Sequence, residues 1–213
     1  MGILNSKGDY IMNLDPDDEL EGKDNLKYLY DKVLKYRVDV ISFASLFKIN
    51  NKICIKCSNF HKILRYPKIL KSAFNSTNIL NDYLIWNKLI KRELFIKAYN
   101  LFIKKIYSEK WNFHEDNIWS ILILKNAKSM ICIKKIIYIY YSNSDSAMLN
   151  KGNILELKNL IYRHEMFVEI FKERKELKFI LAEILEFLYI ISNNENFIYI
   201  IKKKENIKKK IIN

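Results

Sequence analysis

The stretch Gly8-Asp9-Tyr10-Ile11-Met12-Asn13-Leu14-Asp15-Pro16-Asp17-Asp18 constrains this chain more than any other, because an apolar run ends there in three carboxylates within four positions. Residues 10–14 are short, rich in large apolar side chains and bounded by Gly8 and Pro16, which predicts a buried strand rather than a helix. Pro16 ends it. Carboxylates crowded on one loop repel one another unless a cation or a donor-rich ligand neutralises them. An oxygen-only donor set suits Mg²⁺ or Mn²⁺, and Mg²⁺ commonly takes one or two protein carboxylates together with substrate phosphates. An acidic turn that caps the next element and sits in water is the alternative reading of such a motif taken alone.

The rest of the chain reads as scaffold around that loop. Asp24 is a candidate N-cap for a helix over 25–35, with Leu26, Leu29, Tyr30, Val33 and Leu34 on one face. Residues 38–47 turn extended and β-rich with Asp39 at their start, giving the strand–helix–strand rhythm of a mostly parallel sheet. Residues 53–57 add a strand, expected to be antiparallel and near an edge. Pro67 begins or breaks a helix. Trp86-Asn87-Lys88-Leu89 reads as a strand in which Trp86 and Lys88 share a face if the segment is extended. A second acidic group, Phe113-His114-Glu115-Asp116-Asn117, precedes a buried helix, whose dipole by itself stabilises carboxylates at that end. Residues 130–141 are strongly β-prone and run into the turn-rich Ser142-Asn143-Ser144-Asp145-Ser146. The fold class expected is therefore α/β, a mixed sheet with flanking helices over residues 1–150, followed by a helical extension over 151–213 that ends in a Lys-rich tail.

Composition narrows the partners. The formal charge of +13 over 213 residues would ordinarily suggest nucleic acid or an anionic surface, but the excess is carried by Lys far more than by Arg. Planar, bidentate recognition of phosphate favours Arg, so no specific nucleic-acid partner is expected. The charge is also uneven: residues 1–31 hold eight acids against three lysines, and the acidic end coincides with the candidate metal loop. Three cysteines argue for a reducing, cytoplasmic setting without a disulfide framework. Cys54-x-x-Cys57 lies in an alternating strand-like run with only His61 nearby, which makes a poor zinc site. No signal peptide opens the chain, and the apolar run at 179–191 is broken by Glu183 and Glu186, too short and too charged to span a bilayer. The basic terminus could rest on a membrane surface as an amphipathic helix, on the rest of the protein, or in solvent.

Taken together, Gly8-x-Tyr10-Ile11, Leu14-Asp15-Pro16-Asp17-Asp18 and, after a helix, Asp39-Val40-Ile41-Ser42-Phe43 resemble the central segment of family 2 glycosyltransferases of the GT-A fold. The likeness continues through Trp86-Asn87-Lys88-Leu89, through the Glu115-Asp116 pair and through Tyr138, Tyr140 and Ser146, with Tyr141 standing where the family has a basic residue. It implies a metal-dependent, hexosyltransferase-like enzyme that moves a sugar from a nucleoside diphosphate donor, expected to be a UDP-sugar, to a hydroxyl of a glycan or another acceptor. By resemblance, Asp15 and Asp17 take the two positions of the metal-binding D-x-D motif, with Asp18 adjacent. Asp116 takes the role of catalytic base and His114 positions its loop, while Trp86, Asn87, Lys88 and Glu115 line the acceptor side. The resemblance also implies that the first half of the nucleotide-binding sheet, with most contacts to the base and ribose, is missing from this chain, so that the isolated chain is expected to bind its donor weakly and to transfer little or no sugar. Its rival is a non-catalytic glycosyltransferase-like fragment that acts as a binding or interaction subunit.

Overall fold

The computed structural model describes residues 2–49, 52–56, 62–73, 84–106, 115–142, 166–167 and 170–171. A short helix α1 (Gly2–Asn5) leads into β1 (Tyr10–Met12) and β2 (Glu19–Leu20), followed by α2 (Asn25–Tyr36) and the long strand β3 (Val40–Ile49). Next come β4 (Lys52–Lys56), β5 (Leu64–Arg65), α3 (Lys68–Ala73) and β6 (Lys88–Lys91). The last are α4 (Arg92–Ile106), α5 (Glu115–Asn126) and β7 (Ser129–Tyr141).

These strands form one mixed sheet in the order β1-β6-β3-β7-β2, with β4 added to β3 and β5 to β7. β3 and β7 are parallel, and β6 runs antiparallel between β1 and β3, so β1, β3 and β7 all point the same way. The expected strand–helix–strand frame is present, with the β4 strand antiparallel as expected. Two apolar layers cover the sheet. On one face Val40, Ile90 and Met130 meet Leu94, Phe95 and Ala98 of α4, Ile118, Ile121, Leu122 and Leu124 of α5, and Leu70 of α3. On the other, Ile41, Phe43, Phe47, Ile131 and Ile133 meet Leu29 of α2 together with Trp86 and Tyr138. Of the expected helical extension, Met166, Phe167, Ile170 and Phe171 fall among the described residues; they are helical and buried in the α5-side layer. Among the described residues, no helix is long and apolar enough to cross a membrane.

Several local expectations change. Tyr10–Met12 is half-buried rather than buried, because β1 is paired by β6 alone among the described strands. Asp24 precedes α2 without a side-chain cap; instead the buried Asn25 donates to Glu21 O and Ile136 O, tying the helix start to the sheet. Only half of the α2 apolar arc is covered. Leu29 is 1% exposed, whereas Leu26, Tyr30 and Leu34 are 57%, 60% and 56% exposed. The helix ends on Arg37 in the left-handed region, φ 48°, whose N–H donates to Val33 O.

The segment at Trp86 is not extended. It turns before β6, so Trp86 joins the α2-side layer, while Lys88 alternates with Leu89 and shares the opposite face with Ile90. The two residues therefore do not share a face.

β7 carries an irregularity that its plain β-prone sequence conceals. Along β3, Phe43 to Ser45 advances two residues, whereas their partners Ile133 to Tyr138 advance five, so three extra residues sit in β7. Lys134 and Lys135 interrupt the apolar run at that point. The backbone of the bulge is satisfied from outside the sheet, with Glu21 N–H donating to Ile137 O at 2.9 Å. An odd insertion reverses the alternation. Tyr138 and Tyr140 would otherwise share a face with Met130; instead they lie with Phe47 and Trp86 on the α2 side.

Candidate functional site

The acidic loop forms where β1 ends. Asp18 N–H donates to Asp15 O at 3.1 Å, closing a four-residue turn with Pro16 and Asp17 at its corners. Proline at the second position of such a turn presets its φ, so the sequence itself folds the turn. Asp15 and Asp17 are exposed. Asp18 is half-buried and differently engaged: its Oδ2 accepts from Tyr138 Oη at 2.7 Å and its Oδ1 from Tyr141 N–H at 2.9 Å. Tyr138 Oη also accepts from Asp15 N–H at 3.2 Å, so one hydroxyl holds both ends of the turn.

That hydroxyl stands on a rigid base. Tyr138 is fully buried and stacks on Trp86 with ring centroids 4.5 Å apart; Trp86 in turn stacks on Tyr140 at 5.8 Å, and Phe47 touches both Trp86 and Tyr140. Burial first, and the bond to Asp18 second, push the Tyr138 phenol far above its ordinary range, so it remains a protonated donor. Trp86 thus packs beneath the loop. The turn that carries it is fixed by Lys88, which is fully buried and donates from Nζ to Leu84 O and, at 2.8 Å, to Oδ1 of the buried Asn87.

A cation that sequence reasoning passed over lies at the same end of the sheet, on the face opposite Phe47 and Tyr140. Lys48, near the end of β3, pairs in register with Tyr141 and donates from Nζ to Tyr141 Oη at 3.0 Å, while Tyr141 Oη donates to Glu19 Oε1. The bond to Tyr141 holds the Lys48 ammonium above its ordinary pKa. The missing signal was register: nothing in the sequence of β3 says which β7 residue Lys48 will face.

Asp116 is half-buried in the first turn of α5, and Glu115 begins that helix; His114 lies outside the described residues. α5 is joined to β7 by two residues and packs its apolar side on the sheet, so it runs back along β7. Its first turn therefore lies toward the carboxyl ends of the parallel strands, the end that also carries the acidic loop. Asp116 thus lies on the α5 face, while the acidic loop is anchored on the α2 face. Asp39, at the opposite end of β3, serves the fold instead, since its carboxylate accepts from Lys128 and Ser129 N–H and pairs with Lys91 at 3.7 Å.

The acidic turn is compatible with a divalent cation. Among the described residues, no three His, Cys, Asp or Glu side chains gather into a cage. A Mg²⁺ or Mn²⁺ that shares its shell with a diphosphate needs only one or two carboxylates, and the exposed Asp15 and Asp17 supply that number. Cys54 is exposed on β4, and its motif partner Cys57, like His61, lies outside the described residues.

The fold is shared with S. aureus TarS, a glycosyltransferase. TarS 1-349 in complex with UDP-GlcNAc matches with a TM-score of 0.56 at 15% identity, covering 99% of this chain and 56% of that one. The same TarS segment in complex with UDP matches at 0.54 and 15% identity, over 87% and 48% of the two chains. S. aureus TarS itself matches at 0.53 and 14% identity, over 91% and 30%. The chain spans about half the length of TarS 1-349, and at such identities the likeness is one of fold. No protein-family model and no curated protein matches the sequence.

Proposed function

We propose that this chain is a family 2-like glycosyltransferase domain that takes a sugar from a UDP-linked donor to a hydroxyl acceptor. The observation that carries this reading is the Asp15–Asp18 turn, held by Tyr138 and Tyr141 near the carboxyl end of β1 within a glycosyltransferase-like fold. Ligands of open α/β sheets bind outside those strand ends. Asp15 and Asp17 are the residues that would hold Mg²⁺ or Mn²⁺, with Asp18 anchoring the turn rather than facing the ligand. Bound there, the metal would offset the charge that develops on the leaving diphosphate. Lys48, one strand from the turn, adds a positive charge on the side where the family has its basic residue and this chain has Tyr141.

Asp116 is the general base in this reading. Its carboxylate takes the proton of the acceptor hydroxyl as the oxygen attacks the anomeric carbon, and a single oriented carboxylate suffices for that step. Asn87 and Lys88 hold the turn beside the acceptor path, and Trp86 holds the floor of the acidic loop, so all three shape the site from buried positions.

The test is calorimetric titration with UDP, with and without Mn²⁺, beside a UDP-release assay with UDP-GlcNAc. Affinity should depend on Mn²⁺ and fall about tenfold or more in Asp17→Ala. Asp116→Asn should keep that affinity and lower UDP release by about 10²–10⁴-fold. Mn²⁺-independent binding that Asp17→Ala does not change would overturn the reading.

A further inference from the structure

We propose that Tyr138 is a positioning residue for the donor site: its hydroxyl, delivered to the α2 face by the β7 bulge, sets the shape of the Asp15–Asp18 turn before any ligand arrives. The proposal rests on the function proposed above and adds a residue to it. Three geometric facts carry it. The hydroxyl bonds both ends of the turn, donating to Asp18 Oδ2 at 2.7 Å and accepting from Asp15 N–H at 3.2 Å. The ring below is fully buried and stacked on Trp86. The odd bulge puts the residue on this face, since regular alternation from Met130 would turn Tyr138 toward α5.

The chemistry follows from repulsion. Three carboxylates on a short turn drive one another apart when no cation is present, and a spread turn must be gathered again when metal and diphosphate bind. A fixed donor on Asp18 withdraws one carboxylate from that repulsion and fixes the backbone at Asp15, so the two remaining carboxylates start near their working separation. Preorganisation of this kind raises affinity by lowering the ordering cost of binding. The bulge exposes Lys134 and half-buries Lys135, and the Lys135 ammonium lies 4.4 Å from the Tyr28 ring of α2, so the device is braced against the helix that follows the loop. An irregularity in a strand beside a functional loop commonly re-aims a side chain, and here the re-aimed side chain is Tyr138.

A double-mutant cycle on the full chain tests this. Tyr138→Phe keeps the stacked ring and removes only the hydroxyl; Asp18→Ala removes the shared bond from the other side, together with the one from Tyr141 N–H. Both should remain folded by circular dichroism, weaken Mn²⁺-dependent UDP binding about tenfold, and leave metal-free UDP binding unchanged. The double variant should lose clearly less than the product of the two single losses, because the Tyr138–Asp18 bond is counted in both. Losses that multiply in the double variant, or equal losses with and without Mn²⁺, would show a general structural role and overturn the proposal. If Tyr138→Phe does not fold, Asp18→Ala decides: unchanged Mn²⁺-dependent affinity there overturns it. Asp17→Ala run alongside separates the two levels. A loss in Asp17→Ala with none in Tyr138→Phe removes the positioning role alone, whereas no loss in Asp17→Ala removes the metal-turn reading and this proposal with it.

Discussion

On the α5 side of the sheet, Val40, Ile90 and Met130 meet Phe95, Ile118 and Ile121 in an almost entirely apolar layer, and α5 is buried nearly all round. On the α2 side lie Phe47, Trp86, Tyr138 and Tyr140, a layer of aromatic rings from which the Tyr138 hydroxyl reaches the acidic turn. One face gains its stability chiefly from apolar burial, with the hydrogen-bonded Lys88 as its buried charge. The other combines burial with fixed donors, and its covering helix is only half seated, with Leu29 packed and Leu26, Tyr30 and Leu34 in solvent. The difference shows where the fold is committed to packing and where it is committed to geometry. A change on the α5 side should act on stability without touching the turn, while a change beneath the turn should act on ligand binding at smaller cost to the fold.

The sharpest break of that contrast would come from Phe95, fully buried in the α5-side layer. Phe95→Ala should cost ~3–5 kcal/mol in denaturant unfolding, with UDP affinity per folded molecule unchanged. A specific loss of Mn²⁺-dependent affinity in that variant would erase the distinction between the faces.

Within α2 the contrast can be sharpened on a single helix. Leu29→Ala should cost ~2–5 kcal/mol, whereas Leu34→Ala, one and a half turns away on the exposed side, should stay within about 0.5 kcal/mol. Equal costs would mean that the exposed half of the arc is covered in solution.

How far the sequence foretold these faces depends on what each uses. The α5 side follows in part from local pattern: residues 118–124 read as a buried helix, and the helix is there. The α2 side depends on register, which periodicity does not carry. Leu26, Tyr30 and Leu34 have the right spacing for a buried face, but the arc they share with Leu29 is wider than the strip of sheet available to it. Tyr138 stood out only as one residue of the Tyr138, Tyr140 and Ser146 pattern, with no partner assigned to it, and the three-residue insertion in β7 is what makes it a partner of Asp18. The Lys134-Lys135 pair was the visible trace of that insertion, a polar interruption in an otherwise apolar strand. The acidic turn itself was legible because Pro16 and the crowded carboxylates are local features. The division of labour within it, with Asp18 turned to the protein and Asp15 and Asp17 exposed, was not, because it depends on a strand more than a hundred residues later.

A smaller effect separates the faces by pH. Burial is the leading cause that raises the phenols of Tyr138 and Tyr10 above their ordinary value of 10.0. A group whose folded pKa is raised contributes stability that is full below its unfolded pKa and is lost as pH rises through the folded value. Stability should therefore be insensitive to these two groups up to about pH 9 and decline above about pH 10, where the unfolded chain releases their protons first. Tyr138→Phe should make that decline shallower, as read from denaturant midpoints across the range. An unchanged slope would mean that the Tyr138 phenol is not held protonated by the fold.

The central claim is that Asp15 and Asp17 face a nucleotide diphosphate through a divalent ion while Asp18 faces the protein. The most direct measurement is the anomalous scattering of Mn²⁺ in crystals of this chain grown with UDP and MnCl₂. The account predicts one manganese peak between the Asp15 and Asp17 carboxylates and the two phosphates, with Asp18 still bonded to Tyr138 Oη. UDP bound with no manganese at Asp15 or Asp17, or seated away from the turn, would contradict it.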